Sequence, residues 1–182
     1  MTATSRDPQV RTVWTIGHST RSLEEFLSLL DHYRIEAVAD VRRFPGSRRF
    51  PHFAGDALAQ TLPEHGIAYQ WLPQLGGRRR PVAGSRNTGW RNESFRGYAD
   101  HLASAEFAEG LAKLLVLAAQ ARTTLMCAET LWWRCHRSLI ADVLRLRGTE
   151  VIHILDGTHS TIHPYTAPAR VIDGTLSYPG EV

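Results

Sequence analysis

The chain of 182 residues has room for one domain with a substantial core. Its 43% hydrophobic and 21% charged residues suit a soluble globular protein; no run of about 18 apolar residues is present to span a membrane, and the N-terminus lacks the apolar core of a signal peptide. The net charge of +3 is unevenly placed, because residues 41–100 carry ten arginines against four acidic residues, and Lys113 is the single lysine among 21 basic residues.

Residues 1–9 are polar and read as a loose end. Val10–Ile16 predicts a first strand, with Val13, Trp14 and Ile16 in the core, running into Gly17-His18-Ser19-Thr20. Ser22 and Glu25 have capping-box spacing. Leu23, Phe26, Leu27 and Leu30 recur at helical spacing, so a helix is predicted over 22–33. Ala37–Val41 is short and apolar, as a buried parallel strand is, and Asp40 at its end leads into Arg42-Arg43-Phe44-Pro45-Gly46. Asp56 opens a helix carrying Leu58 and Leu62, with Gly66 just past its end. Ile67, Tyr69 and Trp71 alternate as a third strand, stopped by Pro73.

Residues 76–93 read as a long basic loop, which in a compact domain is more often functional than structural. Helices are predicted over 95–102 and 106–120. A fourth strand covers Thr123–Ala128, and a helix covers Cys135–Arg147 with Leu139, Ile140, Val143 and Leu144 facing inward. Val151–Leu155 is the fifth strand, and the tail beyond His159 carries three prolines and no helical period.

Strand and helix alternate five times. This predicts a single α/β domain over residues 10–159: a mainly parallel five-stranded sheet with helices on both faces, and an extended tail, 160–182, packed on it. The eight units of a barrel do not fit this length.

Ligands bind beyond the carboxyl ends of such strands. His18 and Ser19 fall at the end of strand one, Asp40, Arg42 and Arg43 after strand two, and Gly76, Gly77 and Arg78 after strand three. Cys127 and Glu129 end strand four; Asp156 and His159 end strand five. Both cysteines lie between Leu125 and Arg137. Two cysteines make no disulfide framework, so a reducing cytoplasm is the expected compartment. Cys127, facing a helix N-terminus and several arginines, is expected to have a lowered pKa, as a nucleophile or metal ligand. Glu129, Asp40 and His18 are the acid–base candidates. Arg134, Cys135, His136 and Arg137 fall around a helix start, where backbone N–H groups attract anions. Arg134 is one residue too far from Cys127 for the Cys-x5-Arg phosphatase loop, and Ala141 stands where Cys135 would need its arginine. A Cys127/Cys135/His136 metal site, with Glu129 as a further ligand, stays open, although the spacing matches no standard zinc pattern.

Several of these segments also recur together elsewhere. Thr15-Ile16-Gly17-His18-Ser19, Asp40 to Ser47, Leu75-Gly76-Gly77-Arg78, Phe95 to Ala99, Leu125 to Glu129 and Cys135-His136-Arg137 resemble, in this order, the prokaryotic domain-of-unknown-function family numbered 488. The resemblance implies a single α/β domain and gives no reaction or cofactor.

The expectation is therefore an enzyme, a Cys-dependent hydrolase or transferase, acting on an anionic, phosphate-bearing small molecule such as a nucleotide or nucleic-acid component. Cys127, Glu129, His18 and Asp40 would be its catalytic groups. Ser19, Arg42, Arg43, Gly76, Gly77, Arg78, Arg134, Cys135, His136 and Arg137 would bind the substrate. Arginines interleaved with Phe44, Phe50, Phe53, Trp90 and Phe95 equally suit a non-catalytic nucleic-acid-binding module.

Overall fold

The computed structural model describes residues 9–181. The loose end expected over residues 1–9 thus lies, Gln9 apart, outside the described residues. The chain alternates β1 (Thr12–Gly17), α1 (Leu23–His32), β2 (Ala37–Asp40), α2 (Gly55–Glu64), β3 (Ala68–Trp71), α3 (Glu93–His101), α4 (Ala105–Gln120), β4 (Thr123–Cys127), α5 (Arg137–Leu146) and β5 (Glu150–Ile154). Local signals start and stop these elements much as the sequence predicts. The Ser22–Glu25 capping box forms at α1, and Gly66 takes a φ of 74° after α2. Helix α5 starts later than expected. A 3-10 turn, Trp132–Arg134, precedes it, Cys135 is extended, and His136 takes the N-cap position.

The five strands named so far are parallel, in the order β3-β2-β4-β1-β5, and a further strand lies beyond β5. Six strands rather than five make the sheet. The sixth, β6 (Ser160–Ile162), pairs antiparallel with β5. It escapes a sequence reading because all three of its residues are exposed and show no alternation. Its hairpin is turned by Asp156, whose carboxylate accepts from the backbone N–H groups of Thr158 and His159 at 2.7 and 2.8 Å. Asp156 and His159 therefore build a turn. A second hairpin, β7 (Arg170–Ile172) with β8 (Thr175–Ser177), stands apart from the main sheet.

Side chains alternate across a strand, and this divides the core in two. Val13, Ala39, Leu125, Cys127 and Val151 face α3, α4 and α5. Trp14, Ile16, Val38, Met126 and Ile154 face α1 and α2. Helices thus cover both faces. Edge strand β3 buries none of its residues: Tyr69 is half-buried, and Trp71, on the same face, is 45% exposed.

The tail is held by a buried polar chain that the sequence did not suggest. Asp142 of α5, fully buried, accepts hydrogen bonds from His163 Nε2 (2.8 Å), Thr166 N (3.0 Å), Thr166 Oγ1 (2.5 Å) and Tyr178 Oη (2.9 Å). His163 Nδ1 meets His153 Nε2 at 2.9 Å, and His153 Nδ1 meets the Thr15 hydroxyl at 2.6 Å. A consistent proton arrangement runs one way: Thr15 donates to His153, His153 to His163, and His163 to the carboxylate. Trp132 stacks on His153, ring centroids 4.4 Å apart. Asp142→Ala would strand four buried donors. It is expected to destabilise the fold by roughly 3 kcal/mol or more, lowering Tm by about 10 °C, as measured by urea and thermal unfolding. A loss under about 1 kcal/mol would show that the tail is held elsewhere.

Candidate functional site

Strands β1, β2 and β4 converge at one edge of the sheet. Gly17 is in register with Cys127, and Asp40 with Met126. The loops continue the pairing, with His18 N donating to Cys127 O (2.9 Å), Ser19 N to Ala128 O (3.1 Å) and Val41 N to Met126 O (3.0 Å). Gly17 is required by this closeness: a Cβ there would lie 1.8 Å from the Glu129 carbonyl oxygen.

A cavity of about 360 Å³ opens above this edge. Cys127, Cys135 and His136 line it, as do Arg42, Arg43, Gly77, Arg78 and Arg134. Glu129 is its only carboxylate, and Phe44, Ser94, Phe95 and Ala128 complete it. Segments far apart in sequence thus meet around one hollow. Arg43 donates to the Arg78 carbonyl at 2.8 Å, and both guanidiniums lie over the Phe44 ring, at 5.5 and 5.8 Å. Arg78 holds a positive φ of 57°, uncommon for a side-chain-bearing residue. Arg43, Arg78 and Arg134 are exposed, and none has a carboxylate partner among the described residues.

Arg137 lies beneath this hollow and is fully buried. Its Nη1 donates to Cys127 Sγ and to the Glu129 carbonyl, both at 2.9 Å, and its Nη2 donates to the Thr130 carbonyl at 2.8 Å. Its Nε has no partner among the described residues, and no carboxylate pairs with it. Leaving a buried cation without a counter-charge costs several kcal/mol. The available anion is a thiolate, since Cys127 Sγ and Cys135 Sγ are 2.9 Å apart. The pair ionises in two steps. Burial opposes ionisation of Cys135, but its hydrogen bond with Cys127 and the charge and backbone N–H of Arg137 outweigh burial and bring it below the usual thiol range. Burial, reinforced by the adjoining Cys135, pushes Cys127 well up. Within the pair, Cys135 is thus biased toward the thiolate and Cys127 toward the thiol.

His136 faces this pair. Its Nε2 donates to the Val41 carbonyl at 2.8 Å, which fixes the neutral tautomer and leaves Nδ1 as an acceptor 3.5 Å from Cys135 Sγ. Burial lowers its pKa. Gly77 makes room for the ring, because a Cβ there would fall 2.8 Å from Nδ1.

Two of the expected catalytic residues stand outside the cavity wall. Asp40 and His18 belong to the sheet face that packs on α1 and α2, opposite Cys127. Asp40, fully buried, grips Arg42 by two hydrogen bonds of 2.9 and 2.7 Å and accepts from Tyr69 Oη at 2.6 Å. His18 stacks on Phe53 at 4.4 Å, and its Nδ1 donates to the Ser19 carbonyl. Its Nε2 lies 3.4 Å from Arg42 Nη1, and burial lowers its pKa to about 4. Both therefore reach the cavity only through Arg42. Ser19 and Gly76 likewise lie outside the lining. Asp156 and His159 are also absent from it. Among the described residues, no group of three or more His, Cys, Asp or Glu side chains is arranged to hold a metal ion. Sequence reasoning missed Ser94, the Val41 carbonyl, Tyr69 and the buried Asp142–His163–His153 chain. His153 alternates with Val151 toward the interior, and Asp142 is three residues past Leu139, so spacing could have flagged both.

The family model for the domain of unknown function DUF488 matches residues 22–144. The chain belongs to that family. Five of the six resembling segments lie within the DUF488 match; Thr15–Ser19 precedes it, and His153, His163 and Tyr178 follow it. No curated protein and no solved structure matches the chain. No helix among the described residues is long and apolar enough to cross a membrane.

Two measurements check this electrostatic picture. Iodoacetamide should label Cys135 with a midpoint below the ordinary thiol value of about 8.5 and leave Cys127 untouched in the folded chain; preferential labelling of Cys127 would reverse the assignment. His18 and His153 are buried neutral, His153 with a pKa lowered to about 2 by burial and the neighbouring His163. Their folded values lie below the unfolded one, so the stability they contribute is present above about pH 6.5. It is lost as pH falls toward the folded values, at up to about 1.4 kcal/mol per pH unit for each. Urea midpoints that stay level from pH 7 to pH 5 would contradict this.

Proposed function

We propose that the cavity binds a phosphate-bearing anion and that the chain is a thiol-dependent enzyme acting on it. One observation carries the reading: Arg43, Arg78 and Arg134 surround a single hollow without carboxylate partners among the described residues, directly above a thiol pair. Cations held together around an empty space repel one another. An anion with several acceptor oxygens relieves that repulsion, and guanidiniums match phosphate geometry. Phe44 is 62% exposed beside Arg43 and Arg78, which supports a nucleotide, whose base would stack on the ring.

In this reading the nucleophile is Cys135, because it is biased toward the thiolate and is the more accessible of two thiols that both line the cavity. Cys127, the position that sequence favours, keeps its proton. His136 Nδ1 exchanges a proton with Cys135, with the Val41 carbonyl fixing its orientation, as a base needs. Glu129, exposed on the rim, would protonate the leaving group. Arg42 lines the floor, positioned by Asp40.

A second reading has its own support. A further hollow shares Arg43 and Arg78 and continues past Arg79 and Arg80 to Asp100 and His101. A polynucleotide backbone could follow that strip. Binding would then fall steeply with salt and be indifferent to Cys135.

The test is thermal shift and calorimetry with a nucleoside monophosphate beside the same nucleoside. The phosphorylated form should bind, and Arg78→Ala or Arg134→Ala should each weaken it roughly tenfold or more, the worth of one charged hydrogen bond. Cys135→Ser should retain that binding and lose turnover in a screen of phosphorylated substrates. Equal binding of the plain nucleoside, or affinity unchanged in both arginine variants, would refute the reading.

A further inference from the structure

The paired thiols support chemistry that anion binding alone leaves unused. Cys127 and Cys135 come from a strand end and a helix start, yet their sulfurs lie 2.9 Å apart. Reaching the ~2.05 Å of a disulfide requires a shift of less than about 1 Å. Both sulfurs line the cavity, Cys135 the more accessible at 7% exposure and Cys127 the deeper at 2%. That is the division between an attacking thiol and the thiol that resolves its adduct.

We propose that the cavity carries out thiol–disulfide exchange on a low-molecular-weight disulfide bearing negative charges, with Cys135 attacking and Cys127 resolving. The Cys135 thiolate attacks one ligand sulfur. A Cys135–ligand S–S bond forms as the ligand's own S–S bond breaks, and the first thiolate half leaves and takes a proton from water. Cys127 then attacks Cys135 Sγ, forming the intramolecular disulfide and expelling the second half. The Cys127 proton passes to that half, with His136 Nδ1 as the relay. Two electrons move from the dithiol to the ligand, which departs as two thiols. The inference rests on the reading of Cys135 as the reactive thiolate and of Arg43, Arg78 and Arg134 as anion holders. It does not require a phosphate.

Arg137 is a positioning residue here. Once the disulfide forms, its buried guanidinium keeps the Glu129 and Thr130 carbonyls, but the adjoining pair no longer holds a thiolate to balance its charge. Stabilising the reduced form in this way makes a disulfide a strong oxidant, so this bond should be reduced easily by small thiols. The same bond would withdraw the nucleophile from the reaction proposed above.

The experiment incubates the reduced full chain with glutathione disulfide, or with uncharged bis(2-hydroxyethyl) disulfide, and follows intact mass and peptide maps. The wild-type chain should lose two hydrogens without a lasting adduct, and roughly tenfold faster with the anionic disulfide. Cys127→Ser should stop at one mixed disulfide on Cys135. Cys135→Ser should react at least about tenfold more slowly, and Arg78→Ala should slow the anionic disulfide only. Circular dichroism would confirm that each variant folds. A Cys135→Ser chain that reacts as fast as wild type, or a wild-type chain that accumulates a stable mixed disulfide, overturns the proposal. Equal rates with the two disulfides overturn its substrate class. Nucleoside monophosphate binding is measured on the same samples. Intact exchange in a chain that binds no phosphate supports the exchange and overturns only the phosphate reading.

Discussion

A buried guanidinium without a carboxylate is the constraint on which this site depends. Arg137 opens α5 and lies wholly out of solvent. Its charge is met by two carbonyls and a sulfur. Few arrangements tolerate a buried cation on those terms unless a nearby group ionises to balance it. Two cysteines in sulfur contact lie beside it, and its charge favours ionisation of Cys135. The reactivity of the pair and the stability of the fold at this point are therefore the same electrostatic matter. Replacing either partner would disturb both.

A second layer of charge lies on the opposite face of the sheet. Asp40 and Cys127 sit at the ends of adjacent strands, β2 and β4, but alternation sends their side chains to opposite sides. Asp40 fixes Arg42 by a two-pronged grip, and Tyr69 and His18 flank it. Burial works against the charge of Arg42, but Asp40 more than restores it. The cavity thus receives one guanidinium whose position is set from behind and three at its rim that are free to meet a ligand. This division of labour is what the proposed anion site would need, one fixed cation and several adjustable ones.

The tail adds a third element. Asp142 lies on α5, the helix that Arg137 begins, and its carboxylate collects His163, Thr166 and Tyr178 from the last part of the chain. Trp132, in the turn just before Cys135, rests on His153 of the same hydrogen-bonded chain. The tail therefore stiffens both the helix and the turn that place the thiols. It reaches the site through packing and contributes none of the cavity's lining residues.

The alternation of elements, the helix caps and the gathering of polar groups at strand ends were legible in the sequence, because they follow from local spacing and from where parallel sheets expose their ends. Cys127, Glu129, Arg42, Arg43, Gly77, Arg78, Arg134, Cys135 and His136 could be named from that reasoning, and they border one hollow. Which cysteine ionises could not be read locally. It depends on a 2.9 Å contact across eight residues and on a guanidinium whose burial is created by packing. The same holds for Asp40 and His18, set aside by the parity of their strands once β4 was inserted between β1 and β2. The sixth strand, three exposed residues long, has no pattern of its own and exists because β5 offers an open edge. Sequence by itself determined the elements and the edge at which chemistry gathers, since both are short-range. Only the tertiary structure decided which groups share a proton, a charge or a face, because those depend on distances between segments that the chain order leaves free.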